Sequence, residues 1–250
     1  MPWYAKNTGA YGQATTEAIA NVTQIVNSLQ GRGFSLRSAC AIAGNIADES
    51  GYNPWRWQGD NVQSVNSISS AVGYGLFQFT PPTNYINSSN YSRYLNDGYS
   101  PNFYDQGGNP DDGNAQMEFM EDNYYSSYFN TQAGYNRYEP YFTAAGIDIS
   151  QFYWITETEM QNGVYYNTQN DIPIPYLTGA FMLCWERPYQ VDAPSHYQTR
   201  VDAANYWWNY FNNNPPVPPD PPTPPQPPTP PQYDIPKLKL WMYITKPIWL

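Results

Sequence analysis

Residues 35–54, SLRSACAIAGNIADESGYNP, decide the fold of this 250-residue chain. Ser35 can cap a helix from residue 36 to residue 50, because a serine hydroxyl accepts hydrogen bonds from the free N–H groups of the first turn. Gly51 suits the left-handed position that often ends a helix, and Pro54 follows it. The spacing of the apolar side chains predicts one buried helix face. That face contains Ala39, Cys40, Ile42, Ala43 and Ile46.

Glu49 falls on the same face of this helix, because counting by four and by seven from Ile42 reaches Ile46 and Glu49. Burial and the negative end of the helix dipole both disfavour the carboxylate anion, and Trp55 and Trp57 can exclude water. A carboxyl that keeps its proton can act as a general acid, which cleavage of a glycosidic bond requires at the leaving oxygen. We therefore predict that Glu49 is a catalytic acid for glycan cleavage.

Two other carboxyl groups, and an alternative role for Glu49, bear on the prediction that Glu49 is the acid. Asp48 is turned about 100° from Glu49 around the helix, so we expect it to face solvent or a cap. A structural alternative for Glu49 is an ion pair with an arginine such as Arg37 or Arg56. Asp60, in a polar loop, is the second carboxyl that we expect to act as nucleophile, base or electrostatic support.

The sequence of residues 1–212 as a whole predicts a mainly α (α+β) domain. The heptapeptide GYGLFQF at 73–79 predicts a strand or hairpin arm, and hence a small β wing. Helix signals elsewhere include N-cap residues, helical periodicity and a first-turn proline. The predicted helices run from Thr15 or Thr16 to Gln30, from Asp111 or Asp112 through Tyr124, from Ser150 over a short distance, from Pro175 to before Pro188, and from Ser195 to Phe211.

Composition excludes several classes of function. The net charge is −10 with eleven basic residues, so we expect no nucleic-acid partner. Two cysteines and one histidine cannot form the common zinc sites, and we predict no metal and no cofactor, although a calcium ion bound by carboxylates stays open. Cys40 and His196 follow the sequence order of papain-like hydrolases, but Cys40 lies in the middle of an apolar helix face, where a thiol packs as a small hydrophobe. Whether Cys40 and Cys184 form a disulfide stays open.

The C-terminal region has a different composition. Residues 213–232 are a predicted linker, with twelve prolines between 215 and 231 that favour a polyproline II rod of roughly 50 Å. Residues 233–250, YDIPKLKLWMYITKPIWL, alternate as a strand does and form a predicted docking segment for another protein. This segment is too short to span a bilayer as a helix, although contact with a membrane is conceivable. The N-terminus has no pattern of a signal peptide.

Four strings in order resemble the phage tail lysozyme family, which comprises peptidoglycan-degrading domains at the tips of short-tailed phages. They are AGNIADESGYNPWRWQGD (43–60), GYGLFQFTPPTNY (73–85), YLTGAFMLCWERP (176–188) and RVDAANYW (200–207). The resemblance implies a lysozyme-like fold with Glu49 as the acid. It also implies a sugar-binding groove lined by Tyr74, Gly75, Gln78 and Thr80.

Three further residues complete the predicted site. Trp57 is an expected substrate-binding residue, since an indole ring suits the face of a sugar. Glu186 is expected to pair with Arg187 or Arg200 and so to tie the last two helices together, a structural role near the site.

The function implied is that of a virion protein at the phage tail tip. It would bind the glycan strands of bacterial peptidoglycan and hydrolyse the β-1,4 bond between N-acetylmuramic acid and N-acetylglucosamine, so that the tail penetrates the wall. Residues 233–250 would contact other tail proteins. One alternative is a lytic transglycosylase that uses Glu49 alone, although the A-Y-N-A-G stretch of those enzymes is missing. Another is a non-catalytic wall-binding or structural tail protein.

Overall fold

Helices account for most of the residues that the computed structural model describes, which are 3–4, 15–60, 69–87, 112–123, 131–154 and 171–213. The predicted docking segment and all but the start of the predicted linker lie outside these residues. The α-helices are α1 (Thr16–Gly31), α2 (Leu36–Ser50), α3 (Thr83–Ile86), α4 (Asp112–Asn123), α5 (Thr131–Ala144), α6 (Ile174–Phe181) and α7 (Ala193–Asn213). A π-turn, Met182–Glu186, continues α6, and 3-10 turns lie at Gln58–Asp60 and Ile149–Gln151. The predicted mainly α, lysozyme-like fold class is confirmed.

Local capping explains why α1 and α2 form where the sequence predicts. The Thr15 hydroxyl accepts a hydrogen bond from Ala18 N–H at 3.2 Å, and the Ser35 hydroxyl accepts one from Ser38 N–H at 3.1 Å. Gly51 adopts the left-handed conformation, with φ of 60°, and donates its N–H to the carbonyl of Ala47. The boundaries predicted for α2 are confirmed.

Helix α2 is enclosed by its neighbours, and packs against α1, α6 and α7. Its buried residues run without interruption from Ser38 to Ile46, so burial is not confined to one face. The prediction of a single apolar face was too narrow, because a helix surrounded by others is buried all round. This enclosure holds the C-terminal end of α2 against α7.

The predicted strand at 73–79 is not formed, and the β wing is not confirmed. Between residues 69 and 87 the chain makes turns, with one isolated antiparallel bridge between Trp57 and Tyr74. Gly75 and Gln78 have φ of 81° and 46°. These left-handed residues turn the backbone away from the extended conformation that a strand needs.

The remaining elements differ from the predictions mainly at their ends. Helix α5 was not predicted, because it contains Pro140, which lacks the N–H that a helix interior uses. The short 3-10 turn at Ile149–Gln151 is capped by the side chain of Asp148, so Ser150 lies inside it. Helix α7 begins two residues before the predicted cap, Ser195.

Aromatic side chains dominate the interior. The largest fully buried side chains are Trp57, Trp207, Tyr74, Tyr85, Tyr138, Phe142, Phe181, Phe211, Ile25 and Leu29. Among the described residues, no helix combines the length and the hydropathy that crossing a membrane would require.

Candidate active site

A cleft of about 560 Å³ opens between the C-terminal end of α2, the N-terminal half of α7, the π-turn that follows α6, and the loops at 56–59 and 71–80. Its size lies within the usual range of ligand sites. Its charged lining residues are Asp48, Glu49, Arg56, Glu186, Arg187, Asp192, His196 and Arg200.

Glu49, in the last turn of α2, faces this cleft with a side chain that is 19% exposed. The Arg200 Nη2 donates a hydrogen bond to the Glu49 Oε1. The arginine that pairs with Glu49 is therefore Arg200 of α7, and neither Arg37 nor Arg56 was the right candidate. Glu49 thus lies between the cleft and a buried cation, and its role as the catalytic acid stays a prediction.

Arg200 is the positive charge at the centre of the site. Its buried guanidinium also donates from Nε to Asp48 Oδ2 and from Nη1 to Asn45 Oδ1, each at 3.0 Å. Burial alone would lower the pKa of Arg200, but the negative charges of Glu49, Asp48 and Glu186 raise it above its usual value overall. Arg200 therefore stays charged and ties α7 to three residues of α2.

Asp48 is buried, which corrects the expectation that it faces solvent. Its side chain is 7% exposed, and its Oδ2 lies 2.8 Å from His196 Nδ1 as well as 3.0 Å from Arg200 Nε. Because a carboxylate can only accept, the Nδ1 of His196 carries the hydrogen. The expectation failed because α7 covers the side of α2 on which Asp48 lies.

Glu186 lies at the end of the π-turn, directly before Arg187, whose φ is 52°. Its Oε1 is buried and has no hydrogen-bond partner among the residues that the structure describes. Burial raises the pKa of Glu186 well above its usual value; the charge of Glu49 raises it further, that of Arg200 lowers it, and that of Asp48 raises it. The Nε of Arg187 donates to the Cys184 carbonyl at 2.9 Å. Of the two arginines expected as partners of Glu186, Arg200 is the one whose charge lowers its pKa.

Two residues that we expected to bind substrate lie in the core instead. Trp57 and Tyr74 are fully buried, and their ring centroids are 4.5 Å apart. The backbone bridge between them brings both rings together beneath the cleft loops. Neither ring is accessible to a glycan in this structure, so these two residues do not line the groove.

The three other residues expected to bind sugar, Gly75, Gln78 and Thr80, do not all lie in the cleft. Gly75 lies against Gln116. A Cβ added at Gly75 would be 2.2 Å from Gln116 Oε1, so the absence of a side chain allows this close packing. Gln78 and Thr80 line the cleft. The Gln78 side-chain amide donates to the carbonyls of Arg56 at 3.1 Å and Gly75 at 2.9 Å, which ties the two cleft loops together.

Asp60 ends a 3-10 turn whose other residues, Gln58 and Gly59, line the cleft. The side chain of Asp60 lies outside what the structure describes. Its role as the second carboxyl therefore stays a prediction.

Sequence reasoning missed several cleft residues. Tyr189, which is 69% exposed, and Phe77 both line the cleft, as do His196 and Asp48. The position of Tyr189 directly after the ERP string was the one available signal for it. The sequence pattern suggests His196 only as a partner of Cys40.

The cysteines take no part in the cleft. Cys40 and Cys184 are buried and free, with no disulfide between them. Burial raises the pKa of both thiols, that of Cys184 to about 12, so neither is a ready nucleophile. Within the described part of the chain, no three His, Cys, Asp or Glu side chains are grouped to hold a metal ion.

A mainly helical domain in which a glutamate at the end of a central helix opens into a cleft rich in carboxyl groups is of the lysozyme-like class. The chain belongs to the phage tail lysozyme family, whose model matches residues 20–211. It is also 35% identical over 85 residues to Morphogenesis protein 1 of Bacillus phage B103. That match covers 34% of this chain and 21% of the relative.

Proposed function

We propose that this chain is a phage virion protein that hydrolyses the β-1,4 bond between N-acetylmuramic acid and N-acetylglucosamine in peptidoglycan. Membership of the phage tail lysozyme family supports a lysozyme-like role in a phage tail. The name of the B103 relative, a morphogenesis protein, supports association with the virion. Cleavage of the glycan would let the tail pass through the host cell wall.

The position of Glu49 in the cleft is the observation that carries this proposal. Its carboxyl lies at the end of an enclosed helix and opens into a cavity of about 560 Å³. For the reaction, Glu49 donates a proton to the leaving glycosidic oxygen, and Asp60 assists the attack of water or stabilises the positive charge that develops on the sugar. Protonation of Glu49 releases it from Arg200, whose guanidinium keeps its hydrogen bond to Asp48 as a counter-charge.

The test is the activity of Glu49→Gln protein on purified peptidoglycan. We expect the variant to lose nearly all turnover, because an amide cannot supply the proton. Glu139→Gln is a matched control, since Glu139 lies on α5, outside the cleft lining, and accepts a hydrogen bond from Thr143 in an exposed part of the helix. Turnover near the wild-type level in Glu49→Gln would remove Glu49 from the mechanism.

The released sugars separate this proposal from its alternatives. A hydrolase leaves a reducing product that is heavier by one water than the anhydro product of a lytic transglycosylase, which mass spectrometry detects. A non-catalytic wall-binding protein would bind sacculi without lowering their turbidity.

The C-terminal region is proposed to anchor the domain in the virion, with 213–232 as spacer and 233–250 as the segment that contacts another tail protein. Because α7 runs to Asn213, the deletion that tests this begins at residue 214. We expect the shortened chain to keep wall hydrolysis and to lose incorporation into virions. Loss of hydrolysis would mean that the deleted region belongs to the catalytic fold.

A further inference from the structure

The buried centre of the cleft contains more carboxyl groups than positive charges. The guanidinium of Arg200 is acted on by Glu49, Asp48 and Glu186, so one cation faces three carboxyls. Buried charges are tolerated when they are paired, and an unpaired buried anion tends to take up a proton. If all three carboxyls were ionised, they and Arg200 would have a net charge of −2, and a charged His196 beside Asp48 would reduce this only to −1, so we expect the cluster to retain a proton.

The hydrogen bonds indicate which carboxyl retains the proton. Asp48 and Glu49 each accept a hydrogen bond from Arg200, so both have the interaction that stabilises an anion. Glu186 Oε1 is buried with no partner among the described residues. Burial and the neighbouring carboxylates also raise the pKa of Glu186 well above its usual value. Glu186 is thus the neutral member of the cluster.

The charges that act on Glu186 come from two elements. Asp48 and Glu49 face it from α2, and Arg200 faces it from α7. The remaining charged side chains of the cleft are Arg56, Arg187, Asp192 and His196. None of these four is among the charges that shift the pKa of Glu186.

The backbone that holds Glu186 has an uncommon conformation. A π-turn widens the end of α6, and Arg187 follows in the left-handed region. Such π-turns occur frequently at functional sites, and left-handed non-glycine residues persist only where the surrounding structure holds them. This local geometry brings the carboxyl of Glu186 to the same cleft as Glu49.

We propose that Glu186 is a positioning residue that stores the proton of the site, with Glu49 and Glu186 sharing one proton beside Arg200. The inference rests on the proposed function. When Glu49 is paired with the guanidinium, Glu186 holds the proton. The proton then passes to a carboxyl oxygen of Glu49, and the ionised Glu186 takes the place of Glu49 beside Arg200, which leaves the net charge of the cluster unchanged. After Glu49 has given this proton to the leaving oxygen, the proton released by the attacking water restores the pair.

Carboxyl titration by ¹³C NMR of glutamate-labelled protein tests the sharing without any need for activity. We expect Glu186 in the wild-type protein to lose its proton well above the ordinary value of about 4.3. In Glu49→Gln protein the midpoint of Glu186 should fall by at least one pH unit, because a like charge is removed and Arg200 becomes available. A midpoint of Glu186 in the ordinary range, or one that Glu49→Gln does not move, would overturn the proposal.

A second test measures the activity of Glu186→Gln protein as a function of pH. Glu186→Gln removes the group that stores the proton and leaves Asp48 and Glu49 beside Arg200, so the alkaline limb of the pH profile of kcat should move down by one pH unit or more. KM should change little. A residue that only held the fold together would lower the amount of folded protein without moving this limb, and that result would overturn the positioning role.

Glu121→Gln is the matched control, because Glu121 is another buried carboxyl with a raised pKa, on α4 and outside the cleft lining. It should leave the pH profile and the Glu186 titration unchanged. If Glu186→Gln protein does not fold, the Glu49→Gln titration still decides the proposal. A wild-type protein that shows the coupled titration but cleaves no glycan would refute the proposed function and leave the shared proton intact.

Discussion

Gly44 of α2 lies directly against Ala204 of α7, so closely that a Cβ added at Gly44 would be 2.6 Å from the Ala204 Cβ. The same Cβ would be 2.4 Å from the backbone carbonyl oxygen of Arg200. The absence of a side chain at Gly44 therefore sets the distance between the helix that carries Glu49 and the helix that carries Arg200.

Gly44→Ala should destabilise the protein by about 2 kcal/mol or more, since the contacted atoms include backbone that cannot move aside without separating the helices. It should also lower glycan turnover, because Arg200 is displaced. Thermal unfolding and activity measure the two effects. Gly31→Ala, at the end of α1 with open space around the added Cβ, is the matched control and should be neutral or slightly stabilising. Equal stability of the two variants would contradict the close helix contact.

Gln116→Leu should destabilise the protein by about 2–4 kcal/mol. The Gln116 Oε1 accepts the N–H of Leu76 and its Nε2 donates to the Pro54 carbonyl, both at 2.6 Å. A leucine would leave two buried backbone groups unpaired. The amide of Leu76 should then exchange its hydrogen faster, which NMR can follow. Gln198→Leu, on the exposed side of α7, should change stability by less than about 0.5 kcal/mol.

Glu121 should make the stability of the protein fall as the pH rises. Burial raises the pKa of Glu121 to about 7. This effect outweighs the charge of Arg32 and the hydrogen bond from Ser28, which both lower the pKa. The folded protein therefore binds a proton that the unfolded chain, with a pKa of about 4.3, releases earlier. This contribution is complete below about pH 4 and is lost as the pH passes 7, a change of up to about 3 kcal/mol.

The measurement for Glu121 is the free energy of unfolding of wild-type and Glu121→Gln protein between pH 4 and pH 8. The difference, wild type minus variant, should shrink or reverse as the pH rises. Gln198→Leu, which removes no ionisable group and lies on α7, should show a flat difference. A flat difference for Glu121→Gln as well would mean that the carboxyl is ionised throughout.

Tyr189→Ala should weaken glycan binding while the fold is kept. Tyr189 is 69% exposed and lines the cleft, as expected of an aromatic ring that packs on a sugar face. We expect a loss of roughly five-fold or more in affinity for a chitooligosaccharide, about 1 kcal/mol. Tyr141→Ala, an exposed tyrosine outside the cleft, should bind as the wild type does. An unchanged affinity in Tyr189→Ala would exclude the ring from the binding surface.

Features that depend on neighbouring residues in the chain could be predicted from the sequence. Helix α2 was predicted with its ends because Ser35 and Gly51 act on the backbone within a few residues. The position of Glu49 in a cleft followed from that helix together with the family resemblance. The pairing of Glu49 with Arg200 did not follow, because it depends on the packing of α7, whose arginine lies far along the sequence.

Side-chain direction in the turns could not be predicted either. Trp57 and Tyr74 looked like groove residues, but an isolated bridge between their backbones places both rings in the core. The π-turn that brings Glu186 to the cleft has no recognisable sequence pattern, since Met182–Glu186 reads as a continuation of α6. In both cases the deciding feature is a backbone geometry set by tertiary packing.

The bonds of Arg200 to α2 have a consequence for the order in which the protein is made. Synthesis proceeds from the N-terminus, so the end of α2 leaves the ribosome long before Arg200 does. A nascent or proteolytically shortened chain that lacks Arg200 lacks the guanidinium that donates hydrogen bonds to Asp48 and Glu49. Assembly of this hydrogen-bonded site therefore waits for α7, the last helix among the described residues.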